Sequence, residues 1–356
     1  MSLEDGGRKT VYGATRAEVQ TKLRQLLDAR DRGVTVTSAE RTVADYLDQW
    51  LENTAKPSVR HATYLNYALN VRRLKEEIGW LRLSELGPAH VQRAYGNLLK
   101  SGLSAHSVIQ AHVVLHRALR EAVLWGLVLR NATDGVSRPR IERAEIRTLS
   151  QAQVKKLFES TKGDRLHALW VLLATTGLRE GEALGLRWSD IDLKAGRLSV
   201  RRSLQRQKGR GMVFVEPKTN RSRRVVYLAA GTTEVLKNHR HDQAEERLQL
   251  GGRWKADDLV FTSIHGQPLQ QGLVSWSLHQ ALEKAGLPRI RVHDLRHTAA
   301  THLLEKGVHP KVVQELLGHS TIMVTLDTYS HVAPALHAEV AERMQDLFDT
   351  SPPRSR

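Results

Sequence analysis

The chain has 356 residues, of which 54 are Lys or Arg and 38 are Asp or Glu, so its formal net charge is +16. This length predicts two or three domains, and a hydrophobic fraction of 40% is enough to build their cores. The lack of cysteine excludes disulfides, thiolate metal sites and thiol nucleophiles. No stretch approaches the roughly 20 apolar residues of a membrane span, and the first residues lack a secretory segment, so we expect a cytoplasmic protein.

The positive charge is concentrated in one part of the sequence. Between Arg197 and Arg224 there are ten basic residues and one acidic residue, Glu216. A focused basic patch on a strongly basic chain is typical of proteins that bind a polyanion, and nucleic acid is the default partner.

The first part of the chain is predicted to form a small module and then a helical bundle. Residues 1–34 predict a strand that ends at Gly13 and a helix that starts with capping-box spacing at Thr15 and Glu18. Residues 38–136 predict four amphipathic helices, and Gly87-Pro88 suits the start of the third. The charged segment 137–147 predicts a linker between domains.

Residues 148–350 are predicted to form a second domain that is mainly helical. Helical patterns over 151–160, 165–176 and 180–187 are followed by strand-like segments around RLSVRRSL, MVFVEPKT and SRRVVYL. Helices return toward the C-terminus. The predicted fold class is therefore mainly α with a small antiparallel β-sheet that carries the basic patch.

Three stretches of the second domain combine residues that suit phosphate chemistry. GLREGE places Arg179 near the start of a helix, where an anion is attracted, although Arg179 could also simply pair with Glu180 or Glu182. HDLRHT places His293 and Arg296 three residues apart on a helix.

The same region has a competing interpretation as a metal site. His293, His297 and His302 are close in sequence, but the helix has no Glu where a zinc-protease motif needs one, so we favour phosphate binding.

In the third stretch, His319 follows a predicted helix end at Leu317-Gly318, and Tyr329 follows in DTYSHV.

Taken together, GLREGE, HDLRHT with LLGHS, and DTYSHV resemble the tyrosine recombinase (phage integrase) family in order and spacing. The resemblance extends from about residue 38 to near the C-terminus and implies a helical DNA-binding domain and a catalytic domain that clamp a DNA duplex. The opening strand and helix resemble the end of the arm-binding domain of lambda-type integrases. That domain has a three-stranded sheet before its helix, whereas residues 1–34 predict a single strand. We therefore expect residues 1–34 to bind DNA only weakly.

The resemblance implies a role for each matching residue. Arg179 and Arg296 would hold the scissile phosphate, with Glu182 supporting them. His293 would exchange the nucleophile's proton, His319 would donate a hydrogen bond to the phosphate, and Tyr329 would attack the phosphorus to form a 3′-phosphotyrosyl link. The general acid would be Lys218, with Lys208 as the less favoured alternative.

The implied partners follow from this chemistry. We expect double-stranded DNA attachment sites, a homotetramer during strand exchange, an accessory bending or directionality protein, and no metal or other cofactor, because two arginines can neutralise the phosphate charge. An amphipathic segment, 335–348, would dock on a neighbouring protomer or pack on its own domain. The residues predicted to contact DNA are Arg138, Arg140, Arg201, Arg202, Arg221, Arg223 and Arg224.

Several functions remain open within this interpretation. The predicted function is integration or excision of a phage or other mobile element. The alternatives are dimer resolution, transposon mobility, a type IB topoisomerase, or an inactive DNA-binding regulator. The complete set of six candidate catalytic residues disfavours the regulator.

Overall fold

The computed structural model describes residues 15–17, 19–20, 41–141, 147–207, 209–216, 223–255, 258–318 and 321–322. The predicted first strand lies outside these ranges. Within them, no helix is both long enough and apolar enough to cross a membrane. The chain divides into two compact units, Met1–Arg143 and Ala144–Arg356.

The first unit is helical throughout its described part, apart from turns. Its helices are α1 (Val43–Trp50), α2 (Lys56–Ser58), α3 (His61–Ile78), α4 (Pro88–Lys100) and α5 (Ala105–Leu124), and a π-helical turn, Leu51–Ala55, joins α1 to α2. The four predicted helices are confirmed, whereas the extension through the π-helical turn was not predicted.

Local sequence explains where α1 begins and how it packs. The Thr42 hydroxyl accepts a hydrogen bond from the Asp45 N–H at 3.1 Å, and the Asp45 carboxylate accepts one from the Thr42 N–H at 3.3 Å. In the core, the Tyr46 hydroxyl donates to the Ala118 carbonyl at 2.5 Å, and Trp50 Nε1 donates to Glu121 at 2.7 Å. Both rings are therefore buried with their polar atoms satisfied.

The second unit combines helices with two small sheets. Its elements are α6 (Gln151–Ser160), α7 (His167–Thr176), α8 (Glu180–Leu184), β1 (Ile191–Asp192), β2 (Arg197–Val200), β3 (Ser203–Gln207), β4 (Gly211–Val215), β5 (Arg224–Tyr227), α9 (Ala230–Leu250), α10 (Gln271–Lys284), α11 (Val292–Glu305) and α12 (Pro310–Leu317). The fold class is as predicted, mainly α with a small antiparallel component.

The strands differ from the prediction in one respect. β1, β2 and β5 form one antiparallel sheet in the order β1-β2-β5, and β3 pairs with β4 in a separate hairpin. The segment RLSVRRSL is thus two strands, and it divides at Arg201 and Arg202. These two side chains turn to the buried carboxylate of Asp190: Arg202 pairs with it directly, and Arg201 Nε lies 3.7 Å from its Oδ1.

Helix α7 forms the centre of the second unit. Leu169, Trp170 and Leu172 are each at most 1% exposed, because this helix is apolar on every face. Helix α11 packs against α7 and also holds the start of the unit, since its Thr298 hydroxyl accepts the Leu149 N–H at 3.1 Å. The ends of α7 and α12 lie beside α11, and Arg179 and Arg296 meet there.

Candidate active site

Two glycines allow the ends of α7 and α12 to approach each other. Gly177 follows α7 with φ +64°, and Gly318 follows α12 with φ +68°, and both conformations favour glycine. A Cβ atom on Gly177 would lie 2.3 Å from Cδ2 of Leu317. The contact between the two helix ends therefore requires glycine at position 177.

Arg296 joins these two helix ends from within the core. Its Nη1 donates to the Gly177 carbonyl at 2.7 Å and its Nη2 donates to the Leu317 carbonyl at 2.9 Å, while the residue is only 3% exposed. Burial, followed by the charge of Arg179, lowers the pKa of Arg296 to about 9. The guanidinium is thus still charged at neutral pH.

Arg179 reaches the same turn from the other side. It caps α8, where its backbone N–H and its Nη1 donate to the two oxygens of Glu182 at 3.0 and 2.9 Å. Its Nη2 donates to the Gly318 carbonyl at 2.9 Å. Arg179 and Arg296 therefore bind successive carbonyl groups at the end of α12, and the Arg179 side chain remains 39% exposed.

Glu182 orients Arg179 and is itself held by Arg224. Glu182 is 5% exposed, and Arg224 donates to its two oxygens at 2.8 and 3.2 Å. Burial acts to raise the pKa of Glu182, but the hydrogen bonds and charges of Arg224 and Arg179 outweigh it, and the net pKa is lowered. The carboxylate is therefore ionised at neutral pH. The alternative pairing of Arg179 with Glu180 is not what the structure has.

Arg224, which the sequence predicted to contact DNA, has its side chain held behind Glu182. Its side chain is 7% exposed, and besides binding Glu182 it donates through Nε to the Leu316 carbonyl at 2.7 Å. All three nitrogens of its guanidinium group therefore donate to protein acceptors, although Arg224 also lines the cavity beside the sheet. Sequence alone could not distinguish it from the exposed Arg223 beside it.

His293 lies near the two arginines but at the surface. Its ring contacts the His297 ring edge-on, with centroids 5.0 Å apart. Partial burial, followed by the positive charge of neighbouring His297 and Arg296, lowers the pKa of His293 to about 4. The imidazole is therefore neutral at pH 7 and able to accept a proton.

Glu180 is a titratable group that the sequence did not single out. Burial raises the pKa of its carboxyl to about 7, and within the described part of the chain its Oε1 is buried without a hydrogen-bond partner. Its only sequence signal is its position next to Arg179.

The basic patch surrounds a cavity of about 640 Å³ between the sheet and the β3-β4 hairpin. Arg201 and Arg223 line it with side chains 62% and 58% exposed. Arg202 also lines it but is 22% exposed, because it pairs with Asp190. In the first unit, Arg138 and Arg140 are both exposed.

Five predicted residues lie outside the described ranges: Lys208, Lys218, Arg221, His319 and Tyr329. Their positions in the sequence are still informative. Lys218 and Arg221 fall between β4 and β5, and His319 directly follows Gly318. Within the described ranges, no group of three His, Cys, Asp or Glu side chains is arranged to hold an ion.

Comparison with protein families gives two matches that together cover both units. The model of the phage integrase family matches residues 142–335. The model of the phage integrase N-terminal SAM-like domain matches residues 42–99.

Individual proteins are similar over most of the chain. A "Tyrosine recombinase XerC-like" protein of Caldanaerobacter subterraneus subsp. tengcongensis is 34% identical, with 96% of this chain and 92% of that protein covered. The ICEBs1 integrase of Bacillus subtilis is 29% identical over 71% of this chain and 68% of its own.

Solved structures share the fold. The Tn1549 transposon integrase in complex with transposon right end DNA aligns with a TM-score of 0.73 and 22% identity, covering 84% of this chain and 99% of its own. A lambda integrase dimer bound to a COC′ core site aligns with a TM-score of 0.59 and 21% identity, covering 81% and 95%. At these identities the similarity establishes the fold.

Proposed function

This chain belongs to the phage integrase family, the tyrosine recombinases, enzymes that cleave and rejoin DNA, and we propose that the site around Arg179 and Arg296 carries out that reaction. The observation that supports the proposal most strongly is the convergence of these two arginines on the turn that precedes His319. Two guanidinium groups held by separate helices can bind the non-bridging oxygens of one phosphate and stabilise the charge that grows in the transition state.

The reaction is proposed to proceed through a covalent intermediate. The Tyr329 hydroxyl attacks the phosphorus, its proton passes to neutral His293, and the phosphorus–O5′ bond breaks. Lys218 protonates the departing 5′ oxygen, while His319 donates a hydrogen bond to the phosphate. A 5′-hydroxyl of another strand then attacks the phosphotyrosyl bond and releases Tyr329, so the phosphodiester is restored without ATP.

Glu182 is proposed to support the phosphate site without contacting the phosphate. It binds both the backbone and the side chain of Arg179, which fixes the direction of that guanidinium. Because Arg296 is buried, a DNA phosphate would reach the site from the side on which Arg179 and His293 are exposed.

The proposed substrate is a double-stranded attachment site. Arg201 and Arg223 on the second unit, and Arg138 and Arg140 on the first, are exposed cations suited to phosphate contacts. Solved relatives with this fold are named as DNA complexes. We further propose that four protomers assemble during strand exchange, that residues 335–348 dock between them, that an accessory protein sets direction, and that the enzyme acts on the DNA of the cytoplasm.

The recombination of a mobile element is the favoured biological role. Relatives include proteins named as an ICEBs1 integrase and a transposon integrase. Dimer resolution is the second candidate, because the relative with 34% identity is named XerC-like.

A plasmid assay separates these roles and tests the proposal. Purified protein is incubated, without ATP or added metal, with plasmids that carry DNA from the locus flanking the gene, in one arm as direct repeats and in another on two molecules. If wild type joins the two separate molecules and Arg179→Lys does not, the result supports an integrase. Products from direct repeats alone support resolution, and no product in either arm across the whole locus contradicts a recombinase.

A further inference from the structure

The sequence around Arg224 is typical of a residue that contacts DNA, but in the structure its side chain contacts other parts of the protein. It begins β5, directly after the segment that carries Lys218 and Arg221, and Arg223 beside it is 58% exposed. The Arg224 side chain is 7% exposed, and its Nε, Nη1 and Nη2 atoms all donate to protein acceptors. The positive charge of Arg224 therefore interacts with acceptor groups of the protein itself.

On one side, Arg224 fixes the carboxylate that orients Arg179. Arg224 approaches both oxygens of Glu182, at 2.8 and 3.2 Å, in the two-pronged geometry that guanidinium and carboxylate groups favour. The same two oxygens accept the Arg179 side chain and backbone N–H. Rotation of Glu182 would break all of these contacts, so Arg224 limits the orientations that Arg179 can adopt.

On its other side, Arg224 holds the end of α12. The last carbonyl groups of a helix have no partner within the helix and carry its partial negative charge. Here the carbonyls of Leu316, Leu317 and Gly318 accept from Arg224, Arg296 and Arg179, at 2.7, 2.9 and 2.9 Å respectively. Arg224 is thus one of three cations that fix the turn before His319.

The close approach at Gly318 supports the same interpretation. A Cβ atom there would lie 3.1 Å from Nη1 of Arg224 and 3.4 Å from its Cδ, so the guanidinium packs directly against the turn. One residue therefore links the strand that follows Lys218, the carboxylate behind Arg179 and the backbone that leads to His319.

We propose that Arg224 is a positioning residue for DNA cleavage, which contacts no DNA phosphate and holds Glu182 and the end of α12 in the geometry that the reaction needs. This inference rests on the proposed function. It differs from the sequence-based expectation because a phosphate contact would contribute to DNA binding, whereas a positioning residue contributes to the rate after DNA has bound.

Arg165 offers a matched control in the same unit. It donates to the two oxygens of Glu246 at 2.9 and 2.7 Å and to the carbonyls of Thr262 and Ser263, the second at 3.0 Å, so it too combines carboxylate and backbone contacts. None of these partners belongs to the candidate active site. Loss of Arg165 therefore reports the general effect of removing such an ion pair.

The test compares the full-length wild type, Arg224→Met, Arg224→Lys and Arg165→Met on the nicked duplex that wild type cleaves. The rate of covalent complex formation is measured at saturating DNA, the DNA dissociation constant is measured between about 50 and 200 mM salt, and thermal unfolding is recorded for each protein.

We expect Arg224→Met to cleave about 10²-fold more slowly at saturating DNA, since small misplacements cost this much. The slope of log Kd against log salt should match wild type. Arg224→Lys should recover part of the rate, because an ammonium can contact Glu182 but cannot make the two-pronged contact and reach Leu316 as well. Arg165→Met should lose stability without a comparable loss of rate.

Three results would overturn the inference. They are a wild-type cleavage rate for Arg224→Met, a salt slope smaller in magnitude by about 0.9 whatever the rate, which would mark a phosphate contact, and an equal loss of rate in Arg165→Met. If Arg224→Met does not fold, Arg224→Lys decides by the same criteria. Failure of the wild type itself to form a covalent complex would contradict the proposed function instead.

Discussion

Arg179 donates a hydrogen bond of 2.9 Å from Nη2 to the carbonyl oxygen of Gly318. The bond joins the cap of α8 to the end of α12, elements that are far apart in the sequence. Arg179 faces the proposed phosphate position. The same side chain also holds the backbone of Gly318, the residue directly before the candidate group His319.

Arg179→Lys should lower the rate of covalent complex formation by about 10² to 10³-fold, the range for loss of one charge-stabilising donor. A lysine retains the charge but cannot contact Glu182, Gly318 and a phosphate together. The unfolding temperature should change little, because the side chain is 39% exposed. Arg165→Lys is the control, and an unchanged cleavage rate for Arg179→Lys would remove Arg179 from the mechanism.

His293 should produce an acid limb in the pH profile of cleavage. The proposed base acts when neutral, so the rate falls as the pH falls through its pKa. In the free protein, the pKa of His293 lies below its ordinary value of 6.5, whereas an anionic phosphate in the complex raises this pKa. The limb should therefore lie at higher pH with saturating DNA than with limiting DNA. Single-turnover rates from below the free-protein pKa of about 4 up to about pH 8 test this, and an identical limb in His293→Gln would assign the limb to another group.

Glu182→Gln should lower the free energy of unfolding by about 3 kcal/mol at pH 7, because it breaks a buried ion pair. The folded pKa of Glu182 is lowered from 4.5, so its stabilisation is complete above that pH and is lost as the pH falls through the folded value. The difference between variant and wild type should therefore shrink in acid.

Glu246→Gln is the matched control for urea unfolding of Glu182→Gln. Its pair with Arg165 is 34% and 26% exposed, so the expected loss is about 1 kcal/mol or less. Equal losses in the two variants, or a Glu182→Gln deficit that persists unchanged in acid, would contradict the ionised, buried pair.

Arg201→Gln and Arg223→Gln should each reduce the slope of log Kd against log salt by about 0.9, the effect of one phosphate contact. Both side chains are more than half exposed beside the same cavity. Arg202→Gln should change the slope less, since the Arg202 guanidinium forms an ion pair with Asp190. Filter-binding titrations over a salt series measure all three, and the assignment fails if the slopes of Arg201→Gln and Arg223→Gln match wild type.

The features that sequence predicted best depend on neighbouring residues. Thr42 with Asp45 and Ser150 with Gln153 have capping-box spacing in the sequence, and both pairs cap helix starts in the structure because each pair closes within one turn. Gly318 marked the end of α12 because its left-handed conformation is local as well.

The features that sequence missed depend on distant residues. Nothing near Arg224 indicated that its partner would be Glu182, 42 positions away, or Leu316, 92 positions away. The division of RLSVRRSL into two strands has the same origin, because strand pairing and the buried carboxylate of Asp190 decide it. Motif spacing indicated candidate catalytic residues, but it could not predict which arginines are exposed.

The most direct test of the proposed mechanism is covalent trapping. Wild type and Tyr329→Phe are each incubated without metal on nicked duplexes tiled across the DNA that flanks the gene, in which cleavage releases a short fragment and traps the intermediate. On a denaturing gel, we expect a DNA-linked protein band for wild type and none for Tyr329→Phe. A band of equal intensity in Tyr329→Phe would contradict Tyr329 as the nucleophile, and the absence of any wild-type band across the complete tiling, with salt-sensitive DNA binding intact, would contradict cleavage itself.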